Sequence, residues 1–292
     1  MDDSNVAFDA LVIGAGAGGM CAAARLSHQG YRTLLVESRE RIGGRASTRL
    51  VDGFLCNTGA LVIELDGAVA QTYKDLGIPL HLYEPKQAAT ILRVGKRYVN
   101  ITEGPAGWAR NVGPNVLAAL SKTLPWLRPR RGESTRSWLN HFTRSKAVHG
   151  LIDNTIGARF AASADDLPAD VFLHYFTQDS SFKKIGMPPG GTIEVWKPLE
   201  TVIKAAGGEV WLDASVSRLT FGPDGLVNGA VIDRPDGTVN ISCHVAVSNA
   251  GPLATVRMGG ADNFPAGYAE EIERWSDPAA IITVHFASRT PL

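Results

Sequence analysis

The chain carries no surplus of charge. Its 29 Lys and Arg residues balance 29 Asp and Glu, so no global field recommends nucleic acid as a partner. Cysteine is scarce. Cys21, Cys56 and Cys243 stand far apart and are odd in number, which argues against a disulfide framework and suits a reducing compartment. No Cys and His residues fall at zinc-type spacing. His141 and His149 read as solvated or structural, and no metal site is expected. The N-terminal Met1-Asp2-Asp3-Ser4-Asn5 has neither a basic nor an apolar region, so no signal peptide is expected. The longest weakly polar run, Ala10 to Ala24, is too short and too glycine-rich to span a bilayer. A cytoplasmic protein is expected, with peripheral membrane contact left open. No internal repeat or low-complexity tract stands out.

What is present is an ordinary globular composition, 45% apolar over 292 residues. That suffices for a sizeable core and about two domains. The most informative stretch is Asp9 to Arg45. Ala10 to Ile13 is a short apolar run that predicts a buried strand. Gly14-Ala15-Gly16-Ala17-Gly18-Gly19 is a G-x-G-x-x-G match. Met20 to His28 predicts a helix of small residues, stopped by Gly30, and Thr33 to Val36 predicts a second strand ending on Glu37.

Each piece has a physical task. Gly14 permits a tight turn, Gly16 lets backbone approach a pyrophosphate, and Gly19 with Ala22 and Ala23 lets helix and sheet pack closely. The helix N-terminus, including Ala17 and Gly18, offers free N–H groups to phosphate. Glu37, about 20 residues on, stands where a carboxylate accepts the ribose hydroxyls. An ordinary βαβ unit would explain the turn but not the terminal acid.

The next residues, Glu37-Ser38-Arg39-Glu40-Arg41-Ile42-Gly43-Gly44-Arg45, add a second glycine pair among arginines. A plain nicotinamide fingerprint does not require them. Two more glycines allow a second close backbone approach, and Arg45 can neutralise phosphate as a planar fork. The segment resembles the E-x-R-x-R-x-G-G-R stretch of flavin-containing amine oxidases and phytoene desaturases. The resemblance implies FAD as cofactor. It assigns Glu37, Ser38 and Arg39 to the adenosine ribose region, and Gly43, Gly44 and Arg45 to the pyrophosphate and ribityl chain.

Farther on, Asn57-Thr58-Gly59-Ala60 resembles the family segment that runs beside the flavin ring. Asn57 replaces the usual acid, so a role needing that charge is lost. Gly59, Ala60 and Leu61 are the residues implied to lie near the flavin. Pro188-Pro189-Gly190-Gly191 and Ser248-Asn249-Ala250-Gly251-Pro252 resemble the phytoene desaturase-like branch, where Val216, Asn249 and Ala250 match returns to the nucleotide. Val216 and Ala250 read equally as plain sheet core.

The expected fold class is therefore α/β. A Rossmann-like FAD-binding domain with a parallel sheet and β-meander carries a largely helical substrate domain inserted in it. Residues 1–79 and 188–258 form the two FAD-binding segments. Residues 80–187 form the cap, with helices over 134–149, 151–160 and 168–178, and residues 259–292 form a truncated return to it. A hairpin is expected about Gly95-Lys96, another with strands at 226–232 and 238–247, and a strand at Ala280–Phe286. Thr192 is expected to cap a helix begun or kinked at Pro198. The apolar-then-basic stretch from Gly113 to Arg131 reads either as a core-facing helix broken by Pro125 or as a membrane-surface element.

The expected activity is hydride transfer from an apolar, isoprenoid or polyene substrate to flavin N5. An amine oxidase, a redox-neutral isomerase or saturase, and a non-catalytic FAD-binding fragment remain open. No catalytic acid or base can be named. The resemblance also implies that a later C-terminal segment, or a second chain, completes the flavin site.

Overall fold

The computed structural model describes residues 6–84, 91–94, 96–100, 123–177 and 184–276, with positions 104, 116, 119–121, 284 and 285 besides. The chain divides into two compact units. One comprises Met1–Glu84, Lys184–Pro278 and Ile282–Leu292, the other Pro85–Lys183 and Ala279–Ile281.

The first unit is built on a parallel sheet. Its strands are β2 (Ala10–Ile13), β3 (Thr33–Val36), β10 (Glu209–Trp211) and β14 (Val245–Ser248), in the order β10-β3-β2-β14. Ala10 lies opposite Thr33 on one side of β2, and opposite Val245 on the other. Helix α1 (Ala17–His28) connects β2 to β3. The chain thus leaves β2 toward one neighbour and returns much later on the other side, which makes the end of β2 a topological switch point.

Every residue of β2 and β3 is buried, because both faces of the sheet are covered. Val12 and Leu35 pack with Met20, Ala23 and Ala24 of α1 and with Leu199 and Ile203 of α6 (Lys197–Ala205). Leu11, Ile13, Leu34 and Val36 pack with Val216, Leu219, Ile232 and Ile241. Alternate residues face opposite layers, so the strand reads as continuously apolar. The second layer is the mixed sheet β1-β13-β12-β11, formed by β1 (Val6–Ala7), β11 (Ser215–Phe221), β12 (Val227–Arg234) and β13 (Gly237–Ser242).

The strand expected over 238–247 is two strands. Cys243 N–H still donates to Asn228 O at 3.0 Å, but His244 and Val245 N–H turn to Asp9 O at 3.1 and 3.3 Å. The Asp9 carbonyl thereby moves the chain from the antiparallel sheet to the parallel one. The remaining elements are the hairpin β4 (Thr48–Val51) and β5 (Phe54–Asn57), the pair β6 (Ile63–Glu64) and β9 (Ile185–Gly186), and helices α2 (Ala68–Asp75), α7 (Pro252–Gly259) and α8 (Tyr268–Trp275).

The second unit holds the hairpin β7 (Ile91–Val94) and β8 (Arg97–Asn100), and helices α3 (Thr135–Asn140), α4 (Lys146–Phe160) and α5 (Ala169–Thr177). Trp138, Ile156, Leu167 and Phe172 form its core. The Trp138 indole N–H donates to Leu127 O at 2.9 Å, and Arg136 joins Asp153 to Asp165. Ser134 caps α3 by accepting from Ser137 N–H at 3.2 Å. The helical break falls at 141–145 instead of at Gly150. Ser145 N–H bonds the Thr143 hydroxyl oxygen, whereas Gly150 is accommodated inside α4. Pro125–Leu127 forms a 3-10 turn with Leu127 buried and Trp126 exposed.

Gly95 of the expected turn, most of 101–122 and most of Ala280–Phe286 lie outside the described residues. Among the described residues no helix is long and apolar enough to cross a membrane.

Candidate functional site

The first glycine loop is fixed by backbone sterics. Gly14 has φ +92°, a region that favours glycine, and its N–H donates to Val36 O at 2.7 Å. A Cβ on Gly19 would lie 1.9 Å from Gly14 O, so no side chain fits. Gly16 precedes α1 with no side-chain cap, and the first turn of the helix has no acid. Its leading N–H groups and positive dipole end are left for an anion.

Glu37 at the end of β3 is 7% exposed. One carboxylate oxygen accepts Ala15 N–H at 2.8 Å, and the other accepts Arg39 N–H at 3.0 Å and the Ser38 hydroxyl at 3.3 Å. The acid therefore ties the glycine loop to the turn after β3. A carboxylate has about four acceptor positions, so three filled ones leave room for a further hydroxyl donor.

The second glycine turn lies directly on the first. Gly16 and Gly43 form a parallel bridge, Gly43 N–H donates to Ala15 O at 2.7 Å, and a Cβ on Gly44 would stand 3.2 Å from Gly16 Cα. Four arginines flank the second turn in sequence, Arg39, Arg41, Arg45 and Arg49, and they differ. Arg41 and Arg49 both pair with Glu40, at 2.5 and 2.9 Å. That pairing, with a backbone N–H bond as the largest cause, holds the Glu40 carboxyl down to about 2. Arg39 and Arg45 are exposed and have no acidic partner among the described residues.

Gly59 and Ala60 rest on the same turn. Ala60 N–H donates to Arg45 O at 3.0 Å, and a Cβ on Gly59 would lie 2.2 Å from that oxygen. Leu61 follows, 47% exposed. From the other side of β2, Asn249 N–H donates to Ile13 O at 2.7 Å. The Asn249 side chain lies against the Cα hydrogens of Gly16 and Gly18, where added Cβ atoms would come within 3.0 and 2.7 Å of it. Ala250 N borders Gly14. Val216 is reached through Ala214, whose N–H donates to Glu37 O at 2.9 Å. Its side chain, 6% exposed, belongs to the intersheet core, which leaves only its backbone for any contact.

Sequence reasoning missed two groups that hold these loops. Thr192 does not cap a helix. Its N–H and hydroxyl turn to Asn57 Oδ1, at 3.1 and 3.3 Å, and the Thr48 hydroxyl donates to the same oxygen at 2.6 Å. Asn57 thus performs as a neutral acceptor. Pro198 does stand in the first turn of α6. Trp196, just before α6, is fully buried and donates its indole N–H to Ala46 O. No local sequence pattern announces either group, since both act across the fold. Elsewhere in the first unit, Leu65, Tyr73, Lys74, Ile78, Leu80 and Leu82 line most of a cavity of about 320 Å³ that includes none of the residues above. The described residues hold no cluster of His, Cys, Asp and Glu able to bind a metal.

The model of the NAD(P)-binding Rossmann-like domain matches residues 12–76, the span from β2 through α2. A neurosporene-forming phytoene desaturase of Rhodobacter capsulatus is 26% identical over 287 residues, covering 82% of this chain and 52% of that protein. The putrescine oxidase of Kocuria rosea is 27% identical over 175 residues, covering 56% and 37%. The chain is thus similar in sequence to phytoene desaturases and to amine oxidases. Among solved structures, an oxidoreductase from Methanosarcina mazei superposes with a TM-score of 0.75 at 22% identity, covering 91% of this chain and 65% of that one. This superposition agrees with the Rossmann-like α/β fold described above. The homologues that match most of this chain are longer, and the chain spans about half their length.

Proposed function

We propose that this chain binds FAD and forms the nucleotide-binding part of a flavin-dependent oxidoreductase of the desaturase type. The observation that carries the reading is the junction of two glycine turns, bridged at Gly16 and Gly43, with Arg39 and Arg45, exposed and without an acidic partner among the described residues, next to the second turn in sequence. One glycine loop suffices for a dinucleotide in general. A second turn flanked by exposed arginines suits the longer reach of FAD. In this reading Gly14 to Gly19 and Arg45 serve the pyrophosphate, Glu37 the ribose, and Gly59 to Leu61 the flavin side. Bound FAD supplies a hydride acceptor; the protein supplies binding, orientation and exclusion of water.

The proposed substrate is an apolar, polyene or isoprenoid-like molecule, supported by similarity to a phytoene desaturase over most of the chain. Similarity to a putrescine oxidase keeps amine oxidation as the second reading. We further propose that polypeptide beyond these residues, on the same chain or another, covers the flavin. The first experiment is the absorption spectrum of the purified protein with identification of the released cofactor. A flavin spectrum is expected, and a nicotinamide dinucleotide in its place would refute the reading. Tightly retained FAD, bleached by substrate in a 292-residue monomer, would refute the need for a completing segment.

A further inference from the structure

We propose that Trp196 is a positioning residue for the pyrophosphate of the bound dinucleotide. The inference rests on the FAD reading and names a residue which that reading does not use. The Gly43–Ala46 turn is held from two sides. On one side the first glycine loop touches it, through Gly43 N–H to Ala15 O at 2.7 Å and the close approach of Gly44 to Gly16. On the other side stands the Trp196 ring. A Cβ on Gly43 would lie 2.6 Å from Trp196 Cδ1 and 2.8 Å from Nε1. Glycine at 43 therefore answers two demands, its φ of +97° and the closeness of the indole.

The ring is not merely adjacent. Its N–H donates to Ala46 O, closing the turn whose other internal bond runs from Ala46 N–H to Gly43 O at 2.8 Å. Arg45 lies inside this closed turn, and the Gly59-Ala60 strip hangs from the Arg45 carbonyl. Trp196 is itself rooted. It is fully buried and precedes α6, whose Leu199 and Ile203 pack in one cluster with Met20, Ala23 and Ala24 of α1. A rigid layer beneath the sheet thus sets the turn that carries Arg45. A buried carbonyl deprived of its donor rearranges to find another, and the turn is the part free to move.

The test uses Trp196→Phe, which keeps a ring and removes the donor. FAD, ADP and AMP are titrated into the 292-residue chain by calorimetry, alongside thermal unfolding without nucleotide. FAD and ADP affinities should fall about five- to thirtyfold, while AMP, lacking the second phosphate, changes less than about twofold. A merely structural role would lower the unfolding temperature and leave the ADP-to-AMP affinity ratio as in the wild type, and that result overturns the proposal. Should the variant fail to fold, exchange of the Trp196 indole N–H in the wild type replaces it. Slower exchange on adding ADP but not AMP is expected, and an unchanged rate overturns the proposal. A wild-type chain that binds ADP but never FAD refutes the FAD reading while leaving the pyrophosphate role of Trp196 open to the same ADP test. One that binds neither overturns both.

Discussion

Replacing Glu37 by Gln separates what that carboxylate does for the loop from what it does for a ligand. Its two oxygens take Ala15 N–H at 2.8 Å and Arg39 N–H at 3.0 Å. Glutamine offers one carbonyl oxygen and one NH2 group. Whichever N–H faces the NH2 group loses its acceptor, either the buried Ala15 N–H or the part-buried Arg39 N–H. An unsatisfied buried N–H costs about 1–3 kcal/mol. In a unit of roughly 150–250 residues, each kcal/mol shifts the midpoint by about 2–4 °C. Glu37→Gln should therefore lower the thermal midpoint without cofactor by about 2–12 °C. Calorimetric titration should then show FAD affinity down by about ten- to a hundredfold, the value of a hydrogen bond to a charged group. A midpoint within about 1 °C of wild type would refute the loop argument. A lowered midpoint with unchanged FAD affinity would leave the loop argument standing and refute the ribose assignment.

Three further pairs of substitutions probe the site and its supports. Gly19→Ala sets a Cβ 1.9 Å from a backbone oxygen, whereas Gly30→Ala meets nothing within 4 Å and strains only a φ of +90°. The first should cost ~1–3 kcal/mol or more and abolish FAD retention, and the second should leave retention intact; equal retention would contradict the steric account. Asn57→Leu strips the acceptor from Thr48 and Thr192 and should destabilise by about 1–3 kcal/mol, while Asn57→Asp keeps an acceptor and should unfold close to wild type. An equally stable leucine variant in urea unfolding would count against the network. Arg45→Ala, altering an exposed side chain with no acidic partner among the described residues, should leave the cofactor-free midpoint unchanged yet weaken FAD about tenfold or more. Arg45→Lys should recover only part of that, and unchanged affinity in both would remove Arg45 from the site.

The parts legible in the sequence are those whose causes are local. Gly14, Gly19 and Glu37 follow from the steric needs of one strand, turn and helix, and the buried runs at 10–13 and 33–36 follow from a sheet covered on both faces. Gly43 and Gly44 were legible as a second approach, but not as a turn pressed against Gly16. The illegible parts are set by partners far along the chain. Trp196 and Ala46 are 150 positions apart, and Asn57 and Thr192 are 135 apart. The stretch 238–247 alternates well enough to be one strand, and only the Asp9 carbonyl divides it. Thr192 looked like a cap because a hydroxyl before a helix commonly is one. Here Asn57 supplies a better acceptor from another strand.

The pairing of β2 with β14 sets a clock on synthesis. Val245 is made 235 residues after its partner Ala10. At about 5–20 residues per second, on the order of tens of seconds separate their appearance. Throughout that interval β2 can have β3 beside it, while its other edge stands bare and apolar. Such an edge is a template for pairing with any passing strand, so a nascent chain needs either shielding or speed. The Asn249 wall of the glycine loop arrives only with β14. A dinucleotide meeting the chain early would find a loop without its far side, so cofactor loading belongs after translation has passed Ala250. Slowing elongation ahead of Val245 should therefore lower the yield of loaded protein more than slowing it afterwards.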